Sequence, residues 1–171
     1  NNKSKKTIID LCSGSGCIAT TVKIKRKKWD VHALENSKKA IELAKRNSFR
    51  HNLKINYICA DIFLWENIDE IDIIISNPPY IAESEKKLIK ANVLNFEPKK
   101  AIFVPDENPL IFYKRIFDIS KLKLKAGGLI YFEINPKFKN ILISLSKKYQ
   151  FSSYELKKDI FKRNRYIKFQ K

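Results

Sequence analysis

The 171-residue sequence holds no methionine, four glycines, six prolines and three cysteines, and each scarcity narrows the reading. A translation product begins with methionine, so a chain with none leads us to expect a segment of a longer protein. Cys12, Cys17 and Cys59 form no C-x-x-C pair, and His32 and His51 are the only histidines. Zinc-ligand spacing is therefore absent and no metal is expected. The three cysteines read as small buried thiols of a reducing compartment. No apolar run approaches the roughly 18 residues of a membrane span, and no signal-type segment follows Asn1 to Lys6. No membrane partner and a cytoplasmic location are the expectations.

What is present is a globular balance, 44% hydrophobic and 31% charged, which suits one domain with a substantial core. The formal charge of +17 has two explanations. A basic surface favours ribosome or nucleic-acid proximity. Abundant Lys, Ile, Asn, Phe and Tyr also fit an AT-rich coding sequence, and lysines outnumber arginines, whereas phosphate readers favour Arg forks.

The glycines fall in two places only, Gly14/Gly16 and Gly127/Gly128. Thr7 to Leu11 is a short apolar run of buried-strand type, ending in Cys12-Ser13-Gly14-Ser15-Gly16 before a helix from Cys17. Trp29 to Leu34 is a second strand, and Ser37 caps a helix with Ala40, Ile41, Leu43 and Ala44 at helical spacing. Ile55 to Cys59 and Ile71 to Ser76 are the third and fourth strands. Residues 81–106 form a partly helical excursion. Pro109 then opens a helix whose apolar face includes Tyr113, Ile116, Phe117 and Leu122. Gly127-Gly128 turns the chain into a fifth strand, Leu129 to Ile134; a helix from Phe138 to Tyr149 and a terminal hairpin follow. This alternation predicts an α/β fold with a doubly wound, mostly parallel sheet and a C-terminal antiparallel hairpin. Ligands of such sheets bind beyond the strands' carboxyl ends.

Two stretches there carry chemistry. A Gly-x-Gly turn after a strand admits a ligand to the backbone, and Glu35, 19 residues beyond Gly16, ends the next strand where ribose hydroxyls can be accepted. A tight strand–helix turn and a helix-starting Glu are the plain alternatives. The missing third glycine and phosphate-cradling Lys argue against dinucleotides and ATP. The second stretch is Asn77-Pro78-Pro79-Tyr80. Proline cannot continue a central strand, so the chain leaves the sheet there. The stiff loop can present the Asn77 side-chain oxygen and the Pro78 carbonyl to the two N–H groups of a planar –NH₂, with Tyr80 stacked on it.

These motifs resemble the class I S-adenosylmethionine-dependent methyltransferases, and within them the protein-(glutamine-N5) methyltransferases that modify peptide chain release factors. Residues 10–19 are similar to that family's cofactor loop, 33–37 to its ribose-binding strand end, and 75–81 to its catalytic loop. Phe96-Glu97-Pro98 with Ala101 is similar to its Glu-Pro box, Leu129 to Ile134 with Glu133 to its Leu-x-Glu-Ile strand, and Asp159 and Arg165 fit its C-terminal hairpin.

The resemblance implies a seven-stranded Rossmann-like sheet and S-adenosylmethionine as cofactor. It implies cofactor contacts from Asp10, Cys12, Ser13, Gly14, Ser15, Gly16, Glu35, Asp61, Ile62 and Asn77, with Ile62 against the adenine. Catalysis would rest on Asn77, Pro78, Pro79 and Tyr80, acting on a release-factor glutamine, with residues 1–171 as a monomeric catalytic domain. The family's N-terminal helical domain is not in the sequence. Three departures stand out. Cys12 replaces a glycine and is expected to keep a negative φ; Glu35 replaces Asp; Asn135 replaces a glycine and is expected to take a left-handed conformation. A ribosomal-protein glutamine methyltransferase, an adenine-N6 methyltransferase and a silent cofactor-binding module are the alternatives.

Overall fold

The protein's structure, a computed structural model, describes residues 4–67, 70–88 and 101–171. The β-branched, apolar runs become inner strands, β1 (Thr7–Leu11) and β4 (Ile71–Ser76), whose Ile8, Ile9, Leu11, Ile71 and Ile74 are buried. Strands covered on both faces need no polar alternation. β2 (Asp30–Glu35) and β3 (Asn56–Cys59) extend the sheet in parallel on one side. α1 (Cys17–Lys25) connects β1 to β2 and α2 (Lys38–Phe49) connects β2 to β3, and Ser37 caps α2 by accepting from the Ala40 N–H at 3.3 Å.

After β4 the chain leaves the main sheet. β5 (Ile81–Ala82) pairs in parallel with β6 (Phe103–Val104), and a 3-10 turn, Glu83–Leu88, follows β5. The Phe96-Glu97-Pro98 box lies outside the described residues, and Ala101 precedes β6. α3 (Ile111–Lys123), β7 (Leu124–Glu133), α4 (Lys139–Lys148), β8 (Ser153–Lys158) and β9 (Asn164–Gln170) complete the fold. The seven-stranded order is β3-β2-β1-β4-β7-β9-β8, with β9 antiparallel to both neighbours, as the α/β reading predicts. The order reverses between β1 and β4, which places the crevice at their carboxyl ends.

Aromatic packing holds the hairpin half. Phe117 of α3 meets Phe132, Tyr149, Phe151 and Phe169 with ring centroids 5.1–5.6 Å apart. Each such pair adds about 0.5–1.5 kcal/mol beyond buried area.

Several expectations are corrected. Gly127-Gly128 lies inside β7 rather than before it: Ile71 pairs with Leu124 but Ile73 with Leu129, so the extra residues bulge. Gly127 takes φ +71, and a Cβ on Gly128 would sit 2.7 Å from the Leu124 side chain. Leu122 is 71% exposed because it falls on the opposite side of α3 from fully buried Ser120. α3 begins at Ile111 with Leu110 as its cap, so Pro109 precedes the helix. Asn135 is not left-handed; at φ −73 it caps the following 3-10 turn by accepting from the Lys137 N–H. The cysteines are not buried as a group: Cys17 and Cys59 are exposed and Cys12 is intermediate, and all three are free thiols.

Candidate active site

Three strands deliver their last residues to one place. Leu11 stands in register with Leu34 of β2 on one side and Ser76 of β4 on the other. The loops that follow therefore start as neighbours.

On the β1 side, the loop is built mainly from backbone. Cys12, Gly14 and Gly16 all have positive φ, at 61°, 54° and 74°. Cys12 is thus left-handed, against expectation, at a cost of about 1–2 kcal/mol for a residue with a Cβ. Burial, reinforced by the charges of Glu35 and Asp10, pushes its thiol well above the ordinary range, so it remains a neutral thiol. The space above Gly14 is open, with nothing within 4 Å of a would-be Cβ. Gly16 faces inward instead, where a Cβ would meet that of Ala44 at 2.8 Å, and it brings α1 close to α2.

Glu35 organises this loop. One carboxylate oxygen accepts from the Gly14 N–H and the other from the Ser37 N–H, both at 2.9 Å. The Ser13 N–H donates to the Leu34 carbonyl at 3.0 Å, and the Asn47 amide donates to the Ser15 carbonyl at 3.0 Å. Asp10 lies beneath the loop at 2% exposure. One of its oxygens accepts from the Ala19 N–H at 3.1 Å, at the start of α1; among the described residues the other has no partner, nor do the hydroxyls of Ser13 and Thr20. Burial raises its carboxyl to about 7, against the Ala19 hydrogen bond and with help from the Glu35 charge.

After β3, the Asp61 carboxylate accepts from the Phe63 N–H at 2.9 Å. Ile62 points into the main core rather than the crevice, at 2% exposure. Arg115 of α3 fixes the turn's path by donating to the carbonyls of Ile62 and Trp65 at 2.9 and 2.8 Å.

The β4 side is built from side chains. The Ser76 hydroxyl donates to the Leu11 carbonyl at 2.6 Å, buried between the two loops. Pro78 and Pro79 are buried, while the Asn77 side chain is exposed and, among the described residues, uncommitted. Tyr80 is half-buried; its hydroxyl donates to a Glu133 oxygen at 3.5 Å, and the same oxygen accepts from Arg165 at 2.8 Å. The Arg165 guanidinium also lies 5.7 Å from the centre of the Tyr80 ring. Burial raises the Tyr80 hydroxyl above its usual range, keeping it a neutral donor. Tyr113 donates to the Glu133 carbonyl at 3.0 Å, and the Ile134 N–H donates to the Arg165 carbonyl at 2.8 Å. Tyr80 is thereby gripped by the end of β7 and the start of β9.

The loop bearing Asn77 and Tyr80 thus starts beside the Cys12–Gly16 loop, with the end of β2 and Glu35 one strand further on, while Asp10 and Ile62 are buried behind them. Sequence reading missed Asn47 and Arg115, whose contacts join segments 32 and 53 positions apart.

Residues 1–99 match the family model described as the methyltransferase small domain. The chain is 36% identical over 168 residues to a release factor glutamine methyltransferase of Bacteroides thetaiotaomicron, covering 97% of this chain and 60% of the relative. It is 40% identical over 162 residues to the enzyme of that name from Flavobacterium psychrophilum, covering 94% and 57%. The chain thus spans about three-fifths of the length of these curated relatives. Among solved structures, a methyltransferase from Pyrococcus furiosus shares the fold with a TM-score of 0.73 at 15% identity, over 99% of this chain and 77% of that one. With a glycine loop and a neighbouring Asn-Pro-Pro-Tyr loop on that fold, and with more than half its length matched, the chain belongs to the methyltransferase small domain family.

Proposed function

We propose that residues 1–171 are the catalytic domain of an enzyme that methylates a glutamine side-chain amide, at N5, in a peptide chain release factor, with S-adenosylmethionine as donor. The observation that carries this reading is the exposed Asn77 amide, seated on two buried prolines and starting one strand away from the glycine loop. Two relatives bearing the release-factor name over nearly the whole chain support the choice of glutamine.

The residues present fit the donor. The open surface above Gly14 leaves room for it, and the Glu35 carboxylate, already aimed by two N–H groups, retains lone pairs for ribose hydroxyls. Cys12, Ser13, Gly14 and Ser15 would line it, and Asp61 would border the base. Asp10 and Gly16 would support it from below, with Ile62 behind the turn that faces the adenine. When bound, the cofactor supplies an electrophilic methyl group on sulfur.

The protein's task is then to prepare a poor nucleophile. An amide nitrogen shares its lone pair with the carbonyl. Accepting both N–H groups, by the Asn77 side-chain oxygen and the Pro78 carbonyl, raises electron density on that nitrogen and fixes its direction. The buried Pro78-Pro79 step keeps both acceptors in place without reorganisation. Tyr80, immobilised by Glu133 and Arg165, offers a flat wall for the amide plane.

The test uses the full-length protein with methyl-labelled S-adenosylmethionine and either release factor or RNA. One methyl group on a release-factor glutamine is the expected product. Label in RNA would replace this reading with adenine methylation, and binding without transfer to either would favour a silent module.

A further inference from the structure

The turn joining β8 to β9, residues 159–163, plays no part in the chemistry above, yet its position is informative. Tyr166 of β9 pairs with Glu133, the last residue of β7, so the turn lies past the sheet's carboxyl edge, on the side of the crevice. At its tip stand two adjacent large apolar side chains, Ile160 at 90% exposure and Phe161 at 69%.

This tip is rigidly built. One Asp159 carboxylate oxygen accepts from the Phe161 and Arg163 N–H groups at 2.9 Å each, and the other from the Arg163 side chain at 3.1 Å. The Lys162 N–H donates to the Asp159 carbonyl, the Asp159 N–H donates to the Arg163 carbonyl, and Lys162 is left-handed at φ 62. The Arg163 guanidinium covers one side of the Phe161 ring at 5.0 Å. Two residues further on, Arg165 grips Glu133 beside Tyr80. The tip and the catalytic loop therefore belong to one fixed assembly. Around the tip, residues 157–163 carry Lys157, Lys158, Lys162 and Arg163 against Asp159 alone.

We infer that Ile160 and Phe161 form a docking knob for the protein substrate, entering an apolar depression with an acidic rim close to the glutamine to be methylated. The inference rests on the polypeptide-substrate reading above. An exposed apolar pair with a basic collar matches an apolar centre and a polar, oppositely charged rim on the partner. Because the turn is already ordered, docking loses little conformational freedom. Its tie to Arg165 sets the partner in register with Asn77.

The experiment compares the full-length protein with its Ile160→Ser/Phe161→Ser variant on two substrates, intact release factor and a short peptide carrying the glutamine to be methylated. The expected result is a KM for release factor raised at least about tenfold, with kcat changed less than about twofold and peptide turnover unaltered. Phe161→Leu, which keeps an apolar tip, should recover most of the loss. An unchanged KM for release factor would overturn the proposal. So would an equal fall on both substrates, which marks a structural effect, or conversion of a dimer to a monomer in light scattering, which makes a second copy the occupant. Wild-type protein inactive on release factor would sink the functional reading itself, whereas active wild type with an indifferent variant sinks the knob alone.

Discussion

The two lips of the crevice are made in different ways. The β1–β2 lip is a backbone structure: three residues of positive φ, and N–H groups of Gly14 and Ser37 collected by Glu35. The β4–β7–β9 lip is a side-chain structure, in which Tyr80, Glu133 and Arg165 meet from positions far apart in the chain. The first holds its shape through local geometry and tolerates side chains of many kinds. The second holds its shape only while three specific groups stay together. A lip made of backbone suits a constant ligand, and a lip made of side chains suits a substrate that has to be distinguished from others.

The comparison breaks most visibly at Asn77. Asn77→Ala should lower methyl transfer by roughly 10²–10³-fold while leaving cofactor affinity within about threefold, measured by single turnover and titration calorimetry. Full activity in that variant would mean that the side-chain lip is not catalytic. Glu35→Ala is the converse, removing the acceptor of Gly14 and Ser37 from the backbone lip. Cofactor Kd should rise by about ten- to thirtyfold, with the rate at saturating cofactor reduced far less. Equal loss in both quantities would show that the lips do not divide their duties.

Arg165→Ala should slow transfer about tenfold with cofactor affinity preserved, and Arg165→Lys should restore only part, since an ammonium cannot both reach Glu133 and lie over the Tyr80 ring. If Lys restores everything, charge alone suffices there. Asp10 offers a pH test of the support under the backbone lip. Burial raises its folded carboxyl to about 7, above the ordinary 3.8, so the folded state binds a proton the unfolded chain releases. Its contribution to stability is present in full below about 4 and is lost as pH rises through about 7. Urea midpoints across that window should fall for the wild type and lose this component in Asp10→Asn; parallel slopes would exonerate Asp10. The smallest effect is at Cys12, where relief of left-handed strain in Cys12→Gly should outweigh the greater freedom of the unfolded glycine. The expected gain is about 0.5–1 kcal/mol, or roughly 1–4 °C in Tm by calorimetry.

The same division explains what could be read before the fold was known. The backbone lip was legible because a strand, a Gly-x-Gly turn, Glu35 and the Ser37 cap are short-range signals, each confined to a few neighbouring residues. Asn77 was legible for a similar reason, since Pro-Pro after an apolar strand fixes where the chain exits. The grip on Tyr80 was not, because Glu133 lies 53 residues away and nothing local marks it as a partner. Cys12 shows the opposite failure: its side chain predicts negative φ, but the loop's hydrogen bonds and packing override that preference. Gly127 and Gly128 mark an irregular backbone that local sequence places as a turn, whereas the register of β4 against β7 makes them a bulge.

The Ser76 hydroxyl donates to the Leu11 carbonyl deep between the two lips. It pins together the last residues of two adjacent strands, from which the glycine loop and the Asn77 loop depart. Neighbouring strands lie about 4.8 Å apart, a spacing imposed by the peptide hydrogen bond. The gap that a methyl group would cross in the proposed reaction is therefore framed by the sheet's own lattice constant, and reach between the two loops is a property of the backbone before it is a property of any side chain.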